Sequence, residues 1–156
     1  MSVRETLREC AVFQRLTDEQ MKEVESLSVE DVYESGSTMF RAGDSAAQVF
    51  VIAEGKVALQ MELPEKATNL HKRVSVDVIS KGELCGWSGI VEPHVHTLTG
   101  VCLQPTNVVA IDASKLAELM DRDCTLAREV LYGLIGVVAS RLRDTMQLLV
   151  SERSLV

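Results

Sequence analysis

Apolar positions follow three different rhythms along the chain, and the changes of rhythm divide it into three parts. Near the start, Leu7, Val12, Phe13 and Leu16 recur close to a 3.6-residue period, and Thr17-Asp18-Glu19-Gln20 has the form of a capping box opening a second helix. Thr6 to Leu27 is therefore predicted as two short helices. From Val29 to Ile111 the texture shortens to brief alternating segments: Thr38-Met39-Phe40, Val49-Phe50-Val51-Ile52, Val57-Ala58-Leu59-Gln60-Met61, then Val74, Val76 and Val78, then Thr97 to Leu103 and Val108 to Ile111. Gly36, Gly43 and Gly55 stand at the bends between the first of these, and the polar run from Leu63-Pro64 to Lys72 reads as a hairpin loop. Short strands at close intervals predict a mainly β fold with flanking α, an antiparallel jelly-roll β barrel.

After Asp112 the helical period returns. Asp112 or Ser114 can cap Lys115 to Met120, and Asp123 can cap a longer helix from Thr125 to about Val150. Along that helix Leu131, Ile135, Val138, Leu142, Thr145 and Leu149 alternate spacings of four and three, the seam of a coiled-coil-like helix pair. Such a stripe packs either on the chain's own barrel or on a second copy. The expected organisation is one domain over 1–156, with N-terminal helices in 1–28, the barrel in 29–112 and C-terminal helices in 113–156.

Composition removes several function classes. A chain of 156 residues buries roughly 70% of its unfolded surface, so neither disulfides nor metal are needed to fold it. Sixteen Lys and Arg against 23 Asp and Glu give a net charge of -7, which repels a phosphate backbone, so nucleic acid is not an expected partner. Cys10, Cys85, Cys102 and Cys124 contain no CxxC pair and read as reduced thiols. Residues Met1 to Val12 are too charged for a signal peptide, and no apolar run approaches a membrane span, so the expected setting is cytoplasmic, with no membrane partner. No nucleophile elbow or Walker loop is present, which argues against an enzyme.

Two segments carry a resemblance. Tyr33-Glu34-Ser35-Gly36-Ser37-Thr38-Met39-Phe40-Arg41-Ala42-Gly43-Asp44, followed by Phe50-Val51-Ile52 and Gly55-Lys56-Val57, resembles the opening of the cyclic-nucleotide-binding domain, and Gly82-Glu83-Leu84-Cys85-Gly86-Trp87-Ser88-Gly89 resembles the start of that family's phosphate-binding cassette, here spanning 82–99. The resemblance implies a jelly-roll barrel with a short cassette helix near Leu84 to Val91 whose backbone N–H groups face a cyclic phosphate. It implies cyclic AMP or cyclic GMP as the ligand, a pocket drawn from Gly82, Glu83, Leu84 and Cys85, and a ribose contact for Glu83. Ser140-Arg141-Leu142-Arg143-Asp144-Thr145 is similar to the dimer helix of catabolite-activator-type regulators, where a threonine meets the base across the dimer. That role falls on Thr145, which as a polar seam residue would otherwise set register. Those regulators continue into a helix-turn-helix domain, which is not expected in the few residues after Leu149.

One departure weakens the ligand reading. The family's phosphate-pairing arginine falls within Pro93-His94-Val95-His96-Thr97, at Val95 by the favoured register, and none of these is arginine. Losing one partner of a buried charge pair costs about 3–5 kcal/mol, two to three decades of affinity. Thr97 and His96 can offer polar contacts but not a planar fork. The expectation is a sensor or regulatory module that signals through a dimer helix to a protein effector, with nucleotide affinity reduced. A dimerisation or docking module without a nucleotide is the alternative. A metal-binding cupin-like barrel is a third, since His94 and His96 would share one face of a strand, but it lacks further ligands beyond the distant His71.

Overall fold

The computed structural model describes residues 2–64 and 71–154. Its elements in chain order are α1 (Val3–Glu9), α2 (Asp18–Ser26), β1 (Ser28–Tyr33), β2 (Thr38–Phe40), β3 (Gln48–Glu54), β4 (Lys56–Pro64), β5 (His71–Ser80), β6 (Leu84–Cys85), a 3-10 turn at Trp87–Gly89, β7 (Thr99–Cys102), β8 (Thr106–Asp112), α3 (Ala113–Arg122) and α4 (Cys124–Ser154). The strands form two four-stranded antiparallel sheets, β1-β8-β3-β6 and β2-β7-β4-β5, stacked as a jelly roll that is not fully closed.

Sheet β1-β8-β3-β6 is covered on both faces, which explains its continuous apolar runs. In β3 and β8, Phe50, Ile52, Val108 and Ala110 point between the sheets, where they meet Phe40, Val57, Leu59, Ile79 and Cys102. Val49, Val51, Val109 and Ile111 alternate to the other face and pack under the helices, against Leu7, Phe13, Leu116, Leu126 and Val130. The helices start where the polar caps predict. Thr17 and Gln20 form a reciprocal capping box at α2, Asp112 accepts from the Lys115 N–H at α3, and Asp123 accepts from the Leu126 N–H at α4.

Three expectations are corrected. Residues 10–15 are turns between α1 and α2, not helix, although Val12, Phe13 and Leu16 are buried as expected. The hairpin loop is shorter than Leu63 to Lys72: β4 runs to Pro64 and β5 begins at His71, paired with each other, and 65–70 lie outside the described residues. Within that hairpin Leu59 pairs with Asp77 but Gln60 with Ser75, so Val76 is an extra residue on β5. This bulge flips the alternation. Val78 therefore stands opposite Ala58 and Val74 opposite Met61, on different faces, and all three valines are exposed.

The chain's last long element is held along one side only. Leu126, Val130 and Leu134 are buried against the body, and at Gly133 the helix backbone comes so close that a Cβ would stand 2.6 Å from the Ala11 carbonyl oxygen and the Val12 Cα. The predicted seam stripe of Leu131, Ile135, Val138, Leu142 and Leu149 is exposed throughout.

Candidate functional site

The cassette begins with strand, not helix. Leu84 and Cys85 pair with Val51 and Phe50 of β3, and their side chains enter different cores, Leu84 the one under the helices and Cys85 the one between the sheets. Only an extended backbone sends neighbours to opposite faces, so the helix expected from Leu84 to Val91 is reduced to one turn at Trp87–Gly89. Gly86 heads that turn at φ 77°, a left-handed conformation, where a Cβ would also press on the Phe50 ring at 3.3 Å. The turn closes through the Gly89 N–H donating to the Gly86 carbonyl at 3.0 Å.

This local geometry divides the expected site residues between two spaces. Gly82, Glu83 and Leu84 line a cavity of about 630 Å³ between the Cys10–Arg15 turns and α4. Glu83 sits on the strand side of the cassette turn, its carboxylate accepting from the Ser80 hydroxyl at 3.0 Å. His96 and Thr97 instead line the barrel mouth under the cassette turn, where about 30 Å³ is free. That is room for a water, whereas pockets for small ligands start near 300 Å³. Cys85 reaches neither space: burial pushes its thiol up to about 12. Thr145 is exposed on α4, and its hydroxyl donates to the Arg141 carbonyl at 2.8 Å.

Val95 also lines neither space, against the favoured register. It bridges Ser45, while the next residue donates its N–H to the Asp44 carbonyl at 2.9 Å and turns its ring inward. Thr97 lines the mouth beside His96, and Val95 stays outside it. The two imidazoles do not share a strand face. His94 lies at φ 60°, and its Nδ1–H donates toward the Ser88 and Gly89 carbonyls at 3.2 and 3.1 Å. His96, 6% exposed, stacks on Phe40 with centroids 4.4 Å apart. Burial lowers the pKa of His96, with the charge of Asp44 opposing in part. A neutral imidazole is a poor partner for a cyclic phosphate. Among the described residues no group of three or more His, Cys, Asp or Glu is placed to hold a metal ion.

Two residues that sequence reasoning did not assign to the pocket fill the mouth. Trp87, the first residue of the cassette turn, lies beneath Arg141 of α4, whose Cζ is 4.5 Å from the ring centroid. The same guanidinium donates to the Leu84 carbonyl at 2.8 Å, and its Nε lies 3.8 Å from a carboxylate oxygen of Asp77. A signal existed for each: Trp87 is the sole tryptophan and stands inside the cassette, and Arg141 belongs to the segment that resembles a dimer helix.

Comparison with known proteins agrees with this architecture. Residues 30–123 match the Cyclic nucleotide-binding domain family. A cGMP-dependent protein kinase of Caenorhabditis briggsae is 23% identical over 141 residues, which is 88% of this chain but 18% of the kinase. A structure from Geobacter metallireducens, described as a cyclic nucleotide-binding protein, superposes with a TM-score of 0.77 at 26% identity, over 91% of this chain and 99% of that one. A cyclic nucleotide-binding domain from Methylobacillus flagellatus reaches a TM-score of 0.82 at 17% identity, over 96% of this chain and 83% of its own.

Proposed function

The chain belongs to the cyclic nucleotide-binding domain family, and from that premise we propose a dimeric regulatory module in which α4 couples the barrel mouth to a second copy and to a protein effector. The observation that carries this reading is the bare stripe on α4. Ile135 and Leu142 are 63% and 57% exposed, while Leu126 and Val130, on the same helix, are fully buried. Each leucine or isoleucine buried across a two-fold axis contributes about 1.5–3 kcal/mol, so a few pairs exceed an association cost of about 4–15 kcal/mol. Thr145, already bonded to its own helix, then serves register rather than a nucleotide base.

Cyclic AMP and cyclic GMP are the ligands to test, and weak binding is expected for both. The cassette supplies no arginine, His96 favours its neutral form, and Trp87 and Arg141 occupy the mouth. The closed mouth equally favours the second reading, a dimerisation and docking module with no nucleotide ligand. Both readings leave out catalysis, metal, membrane and duplex DNA, and both keep the module in the cytoplasm. No helix among the described residues is long and apolar enough to cross a membrane.

Light scattering on the parent and on Val138→Glu tests the shared premise. A dimer for the parent at tens of micromolar and a folded monomer for the variant are expected, because the variant sets two like charges face to face in a dry seam. A monomeric parent overturns it. Calorimetry with cyclic AMP and cyclic GMP tests the mouth: a dissociation constant of about a micromolar or tighter, near -8 kcal/mol, contradicts closure.

A further inference from the structure

We propose that the barrel mouth is a guanidinium seat, and that Arg141 of the chain's own α4 is its resident ligand. Three acceptors from three separate elements converge on one planar cation: the face of Trp87 from the cassette turn, the carbonyl of Leu84 from β6, and the carboxylate of Asp77 from β5. The Arg141 side chain is 16% exposed, unlike its neighbours on the outer half of α4. A guanidinium can stack on an indole and donate in its own plane at the same time, which an ammonium cannot. The seat's chemistry is therefore opposite in sign to a phosphate site: an aromatic face, a carbonyl and a carboxylate select a planar organic cation.

Position adds a second, independent argument. Arg141 lines both the small mouth and the large cavity, with Trp87 on the mouth side and Asp77 on the cavity side. Its side chain is the partition between them. Withdrawing it joins the two spaces and opens the Trp87 face to a cavity large enough for a small molecule. Because the guanidinium is tethered, it competes at an effective concentration in the millimolar range or above, so a free cation meets an occupied seat in the parent chain. This deepens the reading above by naming what the mouth recognises, and its test is read inside one barrel, where a failure of α4 to dimerise would not silence it.

The single tryptophan supplies the readout, since Trp87 is the only indole in the chain. Arg141→Ala, with its fold checked by circular dichroism, is titrated with ethylguanidinium below denaturing concentrations, with ethylammonium and cyclic AMP as parallel probes at matched ionic strength. The expected result is a saturable change in Trp87 emission with ethylguanidinium, at least tenfold tighter than with ethylammonium. The parent chain is expected to show no saturable change over the same range, and adding Asp77→Asn to Arg141→Ala is expected to weaken the response severalfold. If Arg141→Ala does not fold, Arg141→Lys is used, whose ammonium lacks the planar fork and should yield the seat to ethylguanidinium. A folded variant that does not respond, that responds equally to both cations, or that prefers cyclic AMP overturns the proposal.

Discussion

The two halves of α4 both carry runs of apolar residues but have opposite surroundings. From Cys124 to Val137 the helix lies on the body, with Leu126, Val130 and Leu134 buried and Gly133 pressed against Ala11 and Val12. From Val138 to Ser154 its side chains are exposed except for Arg141, yet Leu142, Met146, Leu148, Leu149 and Val150 are all apolar. The inner half is explained by the fold of one chain. The outer half has apolar residues that stay exposed, and among the described residues a single polar side chain, Arg141, ties its start to the barrel. A helix built in this way transmits a change at the mouth only if something else holds its far end.

The sharpest way to break the comparison is truncation of one leucine in each half. Leu126→Ala should lower stability by about 2–5 kcal/mol, since it leaves a cavity in a filled core. Leu142→Ala should change the stability of the isolated subunit by less than about 0.5 kcal/mol. Urea unfolding of both, in a Val138→Glu background that removes association, gives the two numbers. Comparable losses would mean that the outer half is packed on its own chain.

The helix's two glycines refine the same contrast with effects of opposite sign. Gly133→Ala forces a methyl to within 2.6 Å of backbone atoms, which should cost about 1–3 kcal/mol of overpacking, offset in part by better helix propensity. A Cβ at Gly136 meets nothing within 4 Å, so Gly136→Ala should stabilise by up to about 1 kcal/mol. Thermal unfolding midpoints that move in opposite directions are the expected result; a stabilising Gly133→Ala would contradict the close helix-to-body contact.

A smaller effect comes from His96. Its folded-state pKa lies below 6.5 because burial disfavours the imidazolium, so below that pH the unfolded chain binds more protons than the folded one. The contribution is complete above about pH 6.5 and is lost as the pH falls toward the lower folded value. His96→Phe, which keeps a ring against Phe40, should flatten the slope of stability against pH in that window relative to the parent. An unchanged slope would place the parent's acid sensitivity elsewhere.

Much of the fold was legible because its signals are local. Thr17 with Gln20, Asp112 and Asp123 cap helices within three residues of themselves, and the apolar stripe on α4 follows from spacing alone. What was not legible depends on contacts distant in sequence or on one displaced residue. Leu84 and Cys85 form strand only because β3 lies beside them, and the unpaired Val76 reverses an alternation that otherwise reads correctly. His94 and His96 alternate as strand residues would, but the left-handed backbone at His94 separates them. Arg141 meets Leu84 across 57 residues, and a charged helix residue gives no sign by itself that it is the one turned inward. Sequence reasoning thus pointed to the cassette turn but not to the contact that Arg141 makes with it.

Hydrogen exchange along α4, followed from about one to one hundred micromolar protein, tests the division of the helix most directly. The expected result is that amides of the inner half are protected at every concentration, whereas those beyond Leu142 gain protection as concentration rises and lose it in Val138→Glu. Protection of the outer half that is independent of concentration and survives Val138→Glu would show that it packs on its own chain, and would contradict the dimer-helix account.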